Sequence, residues 1–211
     1  MTTTITVWAD VRCPWCWMGH RRLRSVLDRL DHEVAVERRS FLLEPAGPER
    51  AFRTVREAAL TSWGLDESAW EALRSRVATT ARIQGMAIDV DRALNVDSRP
   101  AHRLLKYATA RGADAHQVWD DAFAAHLGAN DDLTDPAVLR RLAAGWGIAG
   151  EEVDALLAGD DLRAEVESDH RAAVERGITS VPAFVAKDRV LGGHRSEEEL
   201  FALLGAGAAV R

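Results

Sequence analysis

Two cysteines, Cys13 and Cys16, are the only thiols in this chain of 211 residues, and they stand in the run Cys13-Pro14-Trp15-Cys16. The spacing places two sulfurs one helical turn apart, close enough to bridge without rearranging the rest of the molecule. A bridge closing so short a loop stabilises a fold little, because the chain-entropy effect grows with loop length. Nor can two cysteines build the multi-bridge framework of a small secreted domain. Redox chemistry fits the pair: Cys13 attacks a substrate disulfide, or is attacked by a thiolate when oxidised, and Cys16 resolves the mixed disulfide. Two other readings stay open. The spacing is also half of a zinc site, with His20 one turn beyond Cys16 as a third ligand, although no second cysteine pair completes it. The remaining alternative is two inert buried thiols.

The elements around the pair favour the reactive reading. Thr4 to Ala9 alternates Ile5, Val7 and Ala9 against Thr6 and Trp8, the period-two pattern of a strand, and a turn over Asp10 to Arg12 leads to Cys13. From Pro14 the apolar spacing becomes helical through Leu23, Val26, Leu27 and Leu30, with the proline where a missing N–H costs least. Cys13 is therefore expected at a helix N-terminus, where free N–H groups and the helix dipole favour thiolate and thiol pKa values in such motifs fall to roughly 3.5–7. A stabilised thiolate also makes a pair more oxidising.

Val34 to Leu43, closed by Glu44-Pro45, reads as a second strand and completes a β-α-β start. From about Gly47 to Gly177 helical periodicity recurs and no strand is evident. Helices are expected after Asp66, after Pro100, around Val118 to Phe123, from Pro136, around Val153 to Leu157, and from about Asp161 to Gly177. Ala183 to Ala186 and Arg189 to Leu191, joined by Lys187-Asp188, form a hairpin pattern. Ser196 and Glu199 make the capping box of a last helix carrying Leu200, Leu203 and Leu204.

Pro182, in Gly177-Ile178-Thr179-Ser180-Val181-Pro182-Ala183-Phe184, precedes the hairpin. A proline at the first position of a strand is ordinary. Combined with the upstream cysteine pair it takes a second meaning: a cis peptide after Val181 would turn the chain toward the thiols and leave the Val181 backbone free to pair with an extended substrate.

Composition bounds the function classes. A formal net charge of −6 and dispersed arginines argue against nucleic-acid capture, and no run approaches the ~18 apolar residues of a membrane span. The start MTTTITVWAD lacks the basic and long apolar stretches of a secretory signal, so a cytoplasmic location is expected. His20, His102 and His194 are expected to be structural or surface groups, with His194 the one a hairpin would carry toward Pro182. Trp63, Trp70, Trp119 and Trp146 are expected in the core of the helical part, and Trp15 against substrate.

The segments Cys13 to Gly19 (CPWCWMG), Ser40 to Pro45 (SFLLEP), Ala101 to Leu105 (AHRLL) and Gly177 to Phe184 (GITSVPAF) together resemble the DsbA family of thioredoxin-like oxidoreductases, in its cytoplasmic FrnE-like branch. Trp17 stands where that branch often carries Tyr or Phe, and Gly192-Gly193-His194 matches its hairpin end only loosely. The resemblance implies an α/β protein, a thioredoxin-like fold with an inserted all-helical domain. The thioredoxin-like part would comprise residues 1–46 and 178–211, and the insertion residues 47–177 with the linking helix. It implies a catalytic pair at Cys13 and Cys16 and a cis-proline at Pro182; substrate contacts are expected from Pro14, Trp15, Val181 and Pro182. No organic cofactor or metal is expected; partners would be thiol or disulfide substrates, proteins or glutathione, with glutathione also a candidate reductant. The rival activity is a glutathione-dependent isomerase or transferase of the 2-hydroxychromene-2-carboxylate isomerase or kappa-class type, whose members characteristically carry serine at the first active position. A non-enzymatic binding module using a helical groove is the rival outside enzymes.

Overall fold

The alternating run at the start of the chain forms strand β1, Thr3–Ala9, and the helical run after it forms α1, Pro14–Leu27. The computed structural model describes residues 3–49 and 53–205; the predicted domain ends at residues 1–2 and 206–211, and residues 50–52 of the predicted insertion, lie outside them. Strand β2, Val34–Ser40, pairs parallel with β1, with Ile5 opposite Val36. Near the C-terminus β5, Ala183–Ala186, and β6, Arg189–Gly192, form the expected hairpin, and β5 pairs antiparallel with β1. The sheet order is β2-β1-β5-β6, so the strand that precedes the cysteines lies beside the strand that follows Pro182.

Between β2 and β5 the chain is mostly helical: α2 (Val55–Thr61), α3 (Glu67–Ile83), α4 (Arg99–Ala110), α5 (Ala115–Phe123), α6 (Pro136–Gly145), α7 (Gly150–Ala158) and α8 (Arg163–Glu175). The expectation that this stretch holds no strand is corrected. Arg53–Thr54 (β3) and Leu94–Asn95 (β4) pair antiparallel as a two-residue ladder, too short to leave a period-two signature. Helix α2 was also unexpected, although Thr54 and Glu57 form a capping box at its start. The last helix, α9 (Glu197–Leu204), begins with the expected box of Ser196 and Glu199.

Side-chain alternation divides the core in two. Ile5 and Val7 of β1 and Phe184 of β5 pack with Leu23 and Val26 of α1 and with Leu200, Leu203 and Leu204 of α9. Trp8, on the opposite face of β1, belongs instead to the larger cluster shared with the helices, which includes Trp70, Leu104, Leu105, Trp119 and Phe123; Ala9, the last residue of the strand, joins that cluster too, against the alternation. Helix α8 is fastened to the sheet by polar bonds: the Trp8 indole N–H donates to the Asp169 carbonyl at 2.9 Å, and the Asp169 carboxylate accepts from the Ser40 amide at 2.9 Å. Arg103, buried in α4, donates to the carbonyls of Leu156, Gly159 and Asp161, satisfying groups that the end of α7 leaves open.

Candidate active site

Cys13 is the N-cap of α1, with extended backbone (φ −88, ψ 114), and Pro14 opens the first turn. The Cys13 amide donates to the Asp10 carbonyl at 3.0 Å, and the Cys13 carbonyl accepts from the amides of Cys16 at 3.0 Å and Trp17 at 3.3 Å. Those bonds fold the first helical turn around the two thiols, which are both free and buried. Across from them the Val181–Pro182 peptide is cis, and the Cys13 Sγ lies 3.7 Å from the Val181 carbonyl oxygen. The Pro182 carbonyl accepts from the Gly193 amide at 2.7 Å, which ties this loop to the end of the hairpin. Gly19, one turn beyond Cys16, lets the proline approach: a Cβ there would stand 2.9 Å from Pro182 Cγ.

The two sulfurs occupy different surroundings. Burial and the adjacent Cys13 push the Cys16 thiol well above the ordinary cysteine range, so it holds its proton at neutral pH. Cys13, at the cap, sits at the positive end of the helix dipole and faces the Val181 loop.

Beneath the cysteines is a polar network that the sequence did not single out. Asp10 is fully buried; burial alone would raise its carboxyl, but the guanidinium of Arg12, the neighbouring His102 and the Leu43 amide bring it well below the usual carboxylate range. Its Oδ2 accepts from the Leu43 amide at 2.8 Å and from the Ser98 hydroxyl at 3.2 Å, and its Oδ1 lies 3.6 Å from His102 Nε2. Arg12 donates through Nη1 to Glu44 Oε2 at 2.8 Å and to Asn95 Oδ1 at 2.7 Å. Asp10 and Arg12 were visible in the sequence as charged residues immediately before a cysteine, but they read there as turn residues.

The expected substrate-contact residues converge. Pro14 and Trp15 are half-buried, and Val181 and Pro182 buried, around Cys13. Trp15 is held edge-on to His194, ring centroids 5.5 Å apart, with Arg76 5.2 Å above its ring. His194 Nε2 also lies 2.6 Å from Arg22 Nη1. His20 points elsewhere, stacked on His116 at 4.0 Å. Among the described residues no group of three or more His, Cys, Asp or Glu is arranged to hold a metal ion, and no helix is long and apolar enough to cross a membrane. Trp70 and Trp119 are buried in the core and Trp146 is half-buried. Trp63 departs from expectation. It is 42% exposed in the loop after α2, its indole N–H donating to Glu44 Oε1 at 3.2 Å, and it walls a cavity that opens beside Cys13. A larger, more polar depression, bounded by Arg22, Gln84, His194 and Glu197, touches neither cysteine.

Comparison with known proteins places this arrangement. A model of the DSBA-like thioredoxin domain matches residues 4–205. The solved structure of a probable DsbA oxidoreductase from Streptomyces coelicolor superimposes with a TM-score of 0.88 at 27% identity, covering 99% of this chain and 93% of the other. Two more distant structures share the fold. The cytosolic disulfide reductase DsbM from Pseudomonas aeruginosa has a TM-score of 0.63 at 18% identity over 89% of this chain and 87% of its own, and a second DsbM structure contains glutathione. A 2-hydroxychromene-2-carboxylate isomerase has a TM-score of 0.66 at 16% identity over 96% and 93%. A search of the curated proteins finds no match.

Proposed function

This chain belongs to the DSBA-like thioredoxin family, with a thioredoxin-like α/β fold interrupted by helices, and from that premise we propose that it is a dithiol–disulfide oxidoreductase working through Cys13 and Cys16. The observation that carries the proposal is the placement of the Cys13 sulfur at the head of α1, 3.7 Å from the Val181 carbonyl.

In the reducing direction the Cys13 thiolate attacks one sulfur of a substrate disulfide R–S–S–R′. The S–S bond breaks, R′S⁻ leaves and takes a proton, and the RS group remains bonded to the Cys13 sulfur as a mixed disulfide. Cys16 then attacks the Cys13 sulfur; its proton goes to the departing RS⁻, and the pair ends as a disulfide having given two electrons to the substrate. Run backwards, the oxidised pair takes two electrons from a substrate dithiol. The raised Cys16 thiol suits this order, because a protonated second cysteine does not compete for the incoming disulfide. Pro14, Trp15 and Pro182 form the surface on which substrate lies, and the Val181 backbone pairs with an extended segment of it. No organic cofactor or metal enters the cycle.

The finer expectations belong to the same proposal: a place in the FrnE-like branch, a cytoplasmic location, and glutathione as a reductant. The fold shared with a disulfide reductase solved with glutathione supports the last of these. The fold shared with an isomerase favours a second reading, a glutathione-dependent isomerase or transferase, in which Cys16 would be dispensable. A redox titration followed by mass spectrometry tests the proposal. An intramolecular Cys13–Cys16 bridge that forms and reopens supports it; failure to bridge under mild oxidation, or full activity in Cys16→Ser with glutathione bound, overturns it in favour of the second reading.

A further inference from the structure

His194 stands just past the end of the β5–β6 hairpin and takes no part in the exchange cycle. Its ring makes two contacts with α1. It meets Trp15, the residue between the cysteines, edge-on, with centroids 5.5 Å apart and planes at 66°. Two turns further along the helix, Arg22 Nη1 lies 2.6 Å from His194 Nε2. The residues on either side of His194 extend the connection. The Gly193 amide donates to the Pro182 carbonyl at 2.7 Å, from a backbone with φ +79, and the Arg195 carbonyl accepts from Arg22. Residues 193–195 therefore tie α1, Trp15 and the Pro182 loop to one another.

The Arg22 contact fixes where the imidazole carries its proton. A guanidinium only donates, so Nε2 is the acceptor and the ring proton sits on Nδ1. A second proton would go to Nε2 itself, ending that bond and setting imidazolium against guanidinium at 2.6 Å. The other charges around the ring do not remove this conflict. Arg21 of α1 shares the depression with His194 but is paired with Asp120, and Arg76 of α3 lies over the Trp15 ring. The first turn of α9 brings Glu197, Glu198 and Glu199, of which Glu197 is bonded to Arg29 and Ser25, and Glu199 to Arg195. Burial, then Arg22, outweigh Glu199 and hold His194 below the ordinary histidine range, so the ring is neutral at pH 7.

We propose that neutral His194 is a positioning residue for exchange, a latch that keeps Trp15 and the Pro182 loop in place beside Cys13, and that a proton on its Nε2 opens the latch. The role rests on the exchange reading above and adds a pH limit that the thiols do not set. Lost alignment of this kind slows a reaction without touching the reacting sulfurs.

The test must separate that limit from the titration of Cys13. Two second-order rates are measured on the reduced full chain between about pH 8 and 5. Alkylation of Cys13 by iodoacetamide reports the thiolate alone; attack on a disulfide-bridged, end-capped peptide without ionisable side chains also needs the surface around it. The ratio of peptide attack to alkylation cancels the thiolate fraction. In the wild type it is expected to fall about threefold or more toward acid pH, with a midpoint below the ordinary histidine value of about 6.5. His194→Gln keeps an acceptor for Arg22 and binds no proton, so its ratio should stay high and level. His194→Ala has no acceptor, so its ratio should be low and level. His20, His116 and His126 are present in all three proteins, so what acid does to the fold through them is shared. A wild-type ratio that is level, a fall as large in His194→Gln, or a wild-type ratio at neutral pH in His194→Ala overturns the latch while exchange stands. If iodoacetamide labels Cys13 and the peptide is attacked at no pH, the exchange reading falls and the latch with it.

Discussion

The sulfur of Cys13 and the carbonyl oxygen of Val181 lie 3.7 Å apart although 168 positions separate them in the chain. The sheet makes the contact: Trp8, near the end of β1, pairs with Ala183, the first residue of β5, so the loop leaving one strand faces the loop entering the other. In the proposed exchange, a substrate segment paired with Val181 would thereby be delivered to the Cys13 sulfur.

Unequal roles for the two cysteines follow. With Cys16→Ser the reaction should stop at the mixed disulfide, and a covalent adduct on Cys13 should accumulate, visible in the intact mass. With Cys13→Ser turnover should fall to the background rate of a simple thiol and no adduct should form. Adducts appearing instead on Cys16 would reverse the assignment.

Gly19 sets the distance between α1 and the Pro182 loop. A methyl group there would meet Pro182 Cγ at 2.9 Å and Phe184 Cζ at 3.2 Å, and neither is the free end of a flexible chain. Helix propensity would credit Gly19→Ala with about 0.5–1 kcal/mol. Overpacking costs about 1–3 kcal/mol, so the clash should prevail. The expected result is a net loss of stability, with Tm falling about 2–4 °C per kcal/mol. Exchange should slow in the surviving folded protein, because the shifted atoms carry the substrate loop. A Tm that rises, with exchange unchanged, would show that the loop yields freely.

Much of this was legible in the residues because local rules agreed with the final packing. Pro14, Asp66, Asp135 and Ser196 each mark a helix start that the structure keeps. Where tertiary bonds decide, the sequence is silent. The second strand was expected to reach Leu43 but ends at Ser40, because the amides of Leu42 and Leu43 leave the ladder for His170 Nδ1 and Asp10 Oδ2. Trp63 carries no periodicity that separates a cavity wall from a core position; its hydrogen bond to Glu44, 19 residues away, does so. The Asp10–Arg12–Asn95 network is assembled from segments more than 80 positions apart, and no spacing rule spans that distance. The Thr54–Glu57 box was readable, and only the shortness of α2 concealed it.

Asp10→Asn should measure what that network contributes. The change keeps the size and the acceptor for Leu43 but removes the charge facing buried Arg12. Breaking a buried pair costs about 3–5 kcal/mol, and because Glu44 still faces the guanidinium at 2.8 Å the low end applies. The sign with pH is definite. The folded Asp10 carboxyl lies below its unfolded value of about 3.9, so its contribution is complete above that pH and is lost as pH falls through the folded value. Urea midpoints of the two proteins should therefore differ widely at neutral pH and converge in strong acid. A constant gap would mean that the charge is not the source.

The same linkage predicts a weakness nearer to neutrality. His20 is 2% exposed and stacked on His116 at 4.0 Å with the rings 13° apart. His116 Nδ1 lies 3.3 Å from Arg38 Nη2. Burial, then Arg38 and His116, hold His20 well below the ordinary histidine range, and burial with Arg38 lowers His116 as well. Arg38 itself is lowered by desolvation to about 10, despite Asp114 and Asp120 nearby. A histidine whose folded pKa lies below its unfolded value near 6.5 binds its proton more readily in the unfolded chain, so stability rises with pH up to about 6.5 and is lost as pH falls below it. One such group changes stability by about 1.4 kcal/mol per pH unit across that window. The wild-type Tm should therefore drop steeply between about pH 6.5 and 5, well above the range in which Asp10 titrates. His20→Leu, close in volume and unable to protonate, should make that drop shallower, leaving the share of His116 and of buried His126, which burial also lowers, while changing Tm little at about pH 7.5 or above. A wild-type profile flat from about pH 7 to 5, or a His20→Leu profile as steep as the wild type, would show that the stacked imidazoles and Arg38 do not govern the acid limit of the fold.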